Sequence, residues 1–310
     1  MQILVICPAN VVTGGPDALH ALVGYLNDIS GVDARIWYWR AGEQDPCPAE
    51  YKHYDCEYVL DIPDDFNGCL IFPEIWANEA LNYPEYVRAV WWLGVDSYAR
   101  FAGEACGAFL KDNSIIHLAP SEYATQFLRQ LGIEPIRLDE TPNAEFYADY
   151  TEETRSDVIL YNPAKMTPFM NSLMACCPEF NFVPIRGMTR QQIIDLMHHS
   201  KLYIDFGPFP GRERLPREAV LCGCCIITGK IGAAAYVKDL PHDYKYDCKE
   251  AHIWAIKHKM KHVLNHYDEC RRDFNIFRQS LYNDMQRIPK QCKLLTGEFF
   301  HEIQRHHTGL

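Results

Sequence analysis

Residues 203–228, YIDFGPFPGRERLPREAVLCGCCIIT, decide the fold class. The run opens as an apolar strand and passes into a loop of Gly207, Pro208, Pro210 and Gly211 that carries Arg212 and Arg214. A helix is expected from Pro216, a residue suited to the first helical turn, and a Gly223 turn then leads into a second apolar strand at 225–228. Strands that are mostly apolar without strict alternation, joined through a helix, point to a parallel sheet covered on both faces.

The same grammar extends in both directions. Upstream, strands are expected at 157–161 and 180–185, with helices near 169–176 and at 190–199. The N-terminal half shows apolar runs at 3–8, 34–39, 58–62, 69–72, 89–95 and 115–119. Between the first two, Ala18, Leu19, Leu22, Val23 and Leu26 recur at helical spacing after Gly14-Gly15-Pro16-Asp17. Beyond residue 250 the pattern turns helical, with an apolar stripe of Ile253, Trp254, Ile256, Met260, Val263 and Leu264.

The expectation is an α/β chain of two Rossmann-like, doubly wound parallel-sheet domains facing a cleft, followed by C-terminal helices. A length of 310 residues is consistent with two cores. The expected domains are 1–148 and 149–265, with a helical segment 266–310 that packs back on the first.

Composition narrows the function. A net charge of −11 argues against coating nucleic acid, which needs clustered Lys and Arg, but leaves room for a local basic pocket. The opening MQILVIC has no basic n-region, and no apolar run of about 18 residues occurs. The 13 cysteines, odd in number and set in apolar segments, fit a reducing compartment, so the expected location is the cytoplasm.

Two clusters invite a metal and do not call for one. Cys222-Gly223-Cys224-Cys225 lacks the second cysteine pair of a structural zinc site and reads as core. His258, His262 and His266 share a helix with Lys257 and Lys261, as a solvated polar face would. No metal and no cofactor are expected.

In doubly wound sheets ligands bind beyond the carboxyl ends of the strands. Gly14 and Gly15 let a ligand approach backbone N–H groups at a helix start, although the same pair also serves a plain tight turn. The loop with Arg212 and Arg214 points cations at a diphosphate, while Glu218 can accept from sugar hydroxyls; a capped helix with a charged face is the plain alternative.

Leu215-Pro216-Arg217-Glu218-Ala219, followed by Cys222-Gly223-Cys224-Cys225-Ile226-Ile227, resembles the second-domain signature of the nucleotide-sugar glycosyltransferases of GT-B architecture. The resemblance covers residues 157–240 and is fainter before them. It implies that Glu218 binds the donor ribose and that Lys165, with Arg212 or Arg214, reaches the diphosphate. By the same likeness Arg186 and Gly187 edge the nucleobase, and the turn from Thr228 to Gly232 closes over the phosphates. Gly14 and Gly15 match the family's N-terminal glycine loop near the acceptor.

The partners implied are a nucleotide-diphosphate sugar donor and a glycan or lipid-linked acceptor, in glycan or surface polysaccharide synthesis. Peripheral contact with an anionic membrane through the basic side of the late helix is a further expectation. Many retaining members carry another glutamate earlier in the loop; here Pro210 holds that register and Glu213 lies in another, which leaves the stereochemical outcome open.

An inverting reaction needs a base for the acceptor hydroxyl. Asp96, at the carboxyl tip of the strand ending in Trp91-Trp92, is the first candidate, and Glu74, after Ile71-Phe72-Pro73, is the second. A helix N-cap is the competing role for Asp96. The rival readings are a nucleotide-sugar epimerase of the same architecture and a binding protein without turnover.

Overall fold

Strand β1 (Gln2–Cys7) sends Ile3, Val5 and Cys7 into one buried cluster and Leu4 and Ile6 into another. Successive side chains of a strand point to opposite faces, so a strand apolar throughout must be covered on both. On one face lies α1 (Gly14–Asn27), through Ala18, Leu19, Leu22, Val23 and Leu26. On the other lie α2 (Val95–Phe101) and α3 (Glu122–Gln130), through Val95, Tyr98, Ala124 and Leu128.

The computed structural model describes residues 1–42, 45–101, 109–148 and 154–308. Around β1 the first sheet adds β2 (Asp33–Tyr38), β3 (Tyr58–Val59), β4 (Cys69–Pro73), β5 (Val87–Trp91), β6 (Ile115–Ala119) and β7 (Ile136–Arg137). Their order is β3-β2-β1-β4-β5-β6-β7, every pair parallel. The winding therefore reverses between β1 and β4, which is a switch point where such sheets bind ligands.

The second sheet consists of β8 (Ser156–Tyr161), β9 (Asn181–Pro184), β10 (Ser200–Asp205), β11 (Cys225–Gly229) and β12 (Lys245–Tyr246). Its order is β12-β11-β10-β8-β9, again all parallel. The chain first builds outward from β8 to β9 and then returns to β10 on the other side, so its switch point lies between β8 and β10.

Its helices are α4 (Pro168–Ala175), α5 (Arg190–His198) and α6 (Arg214–Leu221), then α7 (Ile253–Asn265), α8 (Tyr267–Cys270) and α9 (Asn275–Thr308). The helix expected from Pro216 thus starts earlier, at Arg214. The cause is Arg217, fully buried, whose guanidinium donates to the carbonyl oxygens of Arg212 and Glu213 and fastens the loop onto the first turn.

A second correction concerns α7. Ile256, Met260, Val263 and Leu264 are buried, but Trp254 is 70% exposed. At 100° per residue it falls nearly opposite Ile256, outside the stripe, and its ring lies tilted at 46° against His258 with centroids 3.9 Å apart.

By contacts the chain divides into Met1–Glu140 with Asp284–Leu310, and Thr141–Asn283. The division falls before the expected 148/149 because Tyr147 belongs with the second unit: its hydroxyl donates to the Leu281 carbonyl at 3.3 Å, and its ring meets Tyr282. The expected segment 266–310 is likewise shared. Phe277 and Leu281 of α9 belong to the second unit, whereas Ile288, Cys292, Leu295 and Phe299 join the first unit's core.

Asp139 pins this last stretch to the first unit. Its buried carboxylate accepts from Arg137 Nε (2.7 Å), Arg287 Nη2 (3.2 Å) and Gln291 Nε2 (3.0 Å), while its own N–H donates to Gln291 Oε1. Opposite charges and amide donors together offset the cost of burying that carboxylate.

Candidate functional site

At the switch point of the second unit a short turn after β8 presents Lys165, and β10 ends in Asp205. Lys165 Nζ lies 2.6 Å from a Glu213 carboxylate oxygen, donates to the Pro208 carbonyl at 2.8 Å, and sits 3.8 Å from Asp205 Oδ2. It also rests over the Phe209 ring, 4.7 Å from its centroid. Asp205 is fixed by the Gly207 N–H (2.9 Å) and the Tyr203 hydroxyl (3.1 Å).

Glycine is required around this cluster for space. A Cβ on Gly207 would stand 2.7 Å from the Lys165 carbonyl oxygen and 2.6 Å from the Lys165 Cβ. One on Gly232, whose φ is +51°, would meet the Phe209 carbonyl oxygen at 2.1 Å. Both glycines let backbone segments close in where a side chain would hold them apart.

Burial raises the pKa values of Asp205 and Glu213, and Lys165 opposes that rise in each. The buried Tyr203 phenol is held well above its ordinary value by burial, then by the charge of Asp205, with Glu213 and Glu218 adding to it. Lys165, Asp205, Glu213, Tyr203 and Glu218 therefore share one neighbourhood. Glu218 is buried on α6, Arg212 is buried in the preceding loop, and Arg214 opens the helix half-buried.

Other expected residues lie differently. Arg186 and Gly187 are exposed in the turn after β9, ahead of α5, whose start is a capping box of Thr189 and Gln192. Thr228 is turned into the core, with its hydroxyl 3.2 Å from His242 Nε2. Desolvation lowers the His242 pKa to about 3, so that ring is neutral.

The switch point of the first unit is built from the loop after β1 and the residue that follows β4. Gly14 is exposed and Gly15 half-buried, and a Cβ on Gly15 would meet open space. The Tyr51 hydroxyl clamps the preceding Thr13, accepting from its N–H and donating to its carbonyl, both at 2.8 Å. Behind them His20 bridges the Pro16 carbonyl and the Tyr38 hydroxyl, 2.7 Å from each.

Glu74 is buried immediately after β4 and accepts the Leu93 N–H at 3.1 Å, with the Gly94 N–H as a further donor. Burial dominates these bonds and pushes its pKa up to about 8. Asp96 differs. It is exposed within the first turn of α2 instead of capping it, and it accepts from the Tyr123 hydroxyl at 2.6 Å.

Sequence reasoning passed over Asp205 and Arg217 and set Glu213 aside for its register. Asp205 had a usable signal, since it stands at the carboxyl end of a strand as Asp96 was expected to. Arg217 had none, because a fully buried arginine on a polar-looking helix is an outcome of packing.

Trp37, Trp91 and Trp92 are buried, whereas Trp39 and Trp76 form a half-buried edge-to-face pair 5.0 Å apart. Cys222, Cys224 and Cys225 are buried, and the Cys224 thiol donates to the Met197 and Ser200 carbonyls. Among the described residues no group of three or more His, Cys, Asp or Glu is placed to hold a metal ion. No helix there is long and apolar enough to cross a membrane.

No family model matches the sequence, and no curated protein matches it. Solved structures are similar over nearly the whole chain. A glycosyltransferase from Rickettsia africae has a TM-score of 0.64 at 14% identity, covering 98% of both chains. Anabaena HepE in complex with UDP-glucose has a TM-score of 0.66 at 10% identity, covering 96% of this chain and 100% of its own. The UDP-GlcNAc 2-epimerase of Neisseria meningitidis bound to UDP-GlcNAc has a TM-score of 0.58 at 10% identity, covering 96% and 99%. At such identities the likeness concerns the fold: with two parallel-sheet α/β domains and a helical C-terminus, the chain has the Rossmann-like GT-B fold.

Proposed function

We propose that the protein is a glycosyltransferase that moves a sugar from a nucleoside-diphosphate donor to an acceptor hydroxyl. The observation that carries this reading is the second unit's switch point, where Lys165 after β8 pairs with Glu213 beyond β10, in the loop that carries Arg212 and leads through Arg214 into the helix holding the buried Glu218. The likeness to structures holding UDP-glucose and UDP-GlcNAc supports a nucleotide-sugar as the ligand.

In this reading Lys165, with Arg212 or Arg214, balances charge on the departing diphosphate, as fixed cations do when a leaving group gains negative charge. Glu218 accepts from the ribose hydroxyls. Arg186 and Gly187 border the base, and the turn from Thr228 to Gly232 contributes backbone, since the Thr228 side chain faces His242. The chemistry assigned here needs no metal.

The first unit supplies the acceptor side, where Gly14 is exposed and open space lies beside Gly15. Glu74 is the better-placed base of the two carboxyls. It is buried at the switch point with a pKa of about 8, which suits proton transfer near neutral pH, whereas Asp96 is exposed and bonded to Tyr123. The acceptor is a glycan or lipid-linked hydroxyl, and the setting glycan or surface polysaccharide synthesis in the cytoplasm.

Calorimetric titration with UDP, GDP and CDP tests the donor assignment. One of them should bind in the micromolar range, with binding weakened in both Glu218→Ala and Lys165→Met; unchanged affinity in both variants would sink it. The likeness to an epimerase favours one rival, in which the same donor is cleaved by elimination and its sugar inverted at one carbon. Isomerised sugar among the products would select that reaction.

A further inference from the structure

Lys165 already holds an anion. An ammonium has three N–H donors. Here one serves the Pro208 carbonyl at 2.8 Å, another faces Glu213 at 2.6 Å, and the group lies against the Phe209 ring. With Asp205 Oδ2 also nearby at 3.8 Å, the Pro208 carbonyl, two carboxylates and the Phe209 ring surround the ammonium, and a phosphate reaching Lys165 meets the negative charge of Glu213 already on it.

Of the two carboxylates nearby, Asp205 is fixed. Its oxygens take the Gly207 N–H and the Tyr203 hydroxyl, and it is buried at the end of β10. Glu213 is the replaceable one. It stands just outside α6 in extended backbone (φ −54°, ψ 137°), its side chain makes no capping hydrogen bond, and that side chain is 23% exposed.

We propose that Glu213 occupies Lys165 in the donor-free protein as a stand-in for the diphosphate and is displaced when the donor binds. The proposal rests on the donor-site reading above. The charged groups facing Glu213 are Lys165 from the turn after β8, Asp205 from β10 and Arg217 from α6. A carboxylate and a diphosphate cannot both sit on one ammonium without like-charge repulsion. Glu213 thereby sets donor affinity against the nucleoside part, and selects ligands with enough negative charge to evict it.

The test compares UDP and GDP with the corresponding nucleosides by calorimetry on the full chain, as wild type, Glu213→Gln and Lys165→Met. Removing the competing charge should tighten diphosphate binding roughly 5- to 10-fold, the scale of one charge-assisted contact, and leave nucleoside binding unchanged. Equal or weaker diphosphate binding in Glu213→Gln, with binding still lost in Lys165→Met, overturns the displacement and leaves the donor site standing.

Diphosphate binding indifferent to Lys165→Met, or absent in all three proteins, overturns the reading and the proposal together. If Glu213→Gln melts early, Glu213→Asp withdraws the carboxylate by one methylene and should shift affinity in the same direction; no shift there counts against the displacement.

Discussion

The two switch points of this chain hold buried carboxyl groups in opposite electrical surroundings. In the first unit Glu74 has backbone N–H groups from Leu93 and Gly94 around it, and burial carries its pKa to about 8. In the second unit burial acts on Asp205 and Glu213 in the same sense, but Lys165 opposes it. Position in the sheet is alike; the cation makes the difference. In the proposed function the first would hold and release a proton near neutral pH and the second would hold an anion against an ammonium.

The largest expected effect breaks the proton-handling half. Glu74→Gln should lower transfer turnover by about 10²–10⁴, the usual contribution of a general base, in steady-state rates. In the wild type the base form fills as pH rises through about 8, so the rate should climb there and flatten above it.

Stability gives an independent reading of the same group. Its folded pKa of about 8 exceeds the ordinary 4.5, so its contribution to folding is fully present below 4.5 and is lost as pH rises through 8. Glu74→Gln should therefore raise the Tm relative to wild type progressively across that window, by roughly 1.4 kcal/mol of stability per pH unit at most. An unchanged pH dependence of Tm would remove the raised pKa from the account.

Next in size, Lys165→Met should cost about 10²–10³ in kcat/KM for the donor, as loss of a charge-stabilising group does. A control on the fold itself comes from Asp139→Ala, which leaves Arg137 and Arg287 without their shared buried carboxylate. Because both arginines stay partly solvated, it should destabilise the protein by about 1–3 kcal/mol in urea unfolding, without altering diphosphate affinity. The smallest effect sharpens the choice of base. Asp96→Asn, at an exposed carboxylate held by Tyr123, should change stability by less than about 1 kcal/mol and turnover only modestly. A loss as large as that of Glu74→Gln would transfer the role to Asp96.

Much of this architecture is legible in the sequence because its strands are buried on both faces. β1, β4 and β11 are nearly continuous apolar runs, and α1 carries an unbroken helical stripe. The edge strands β7 and β12 are not legible. Each has two residues, Ile136–Arg137 and Lys245–Tyr246, too few to establish a period.

The site divides in the same way. The places of Lys165 after β8 and of Glu218 on α6 follow from the order of strands and helices. The pairing of Lys165 with Glu213 does not, because the loop from Phe206 to Glu213 folds back through Arg217 and the close approaches at Gly207 and Gly232. Likewise, Glu74 looks like any acid after a strand; its proton affinity comes from the burial that packing imposes.

The most direct test of the central claim is to follow a panel of UDP-, GDP- and CDP-sugars by NMR in the presence of the protein. The account predicts that one donor is consumed, with release of its nucleoside diphosphate and no isomerised sugar, and that Lys165→Met leaves it intact. A panel returned unchanged, or a donor consumed equally by Lys165→Met, would contradict it.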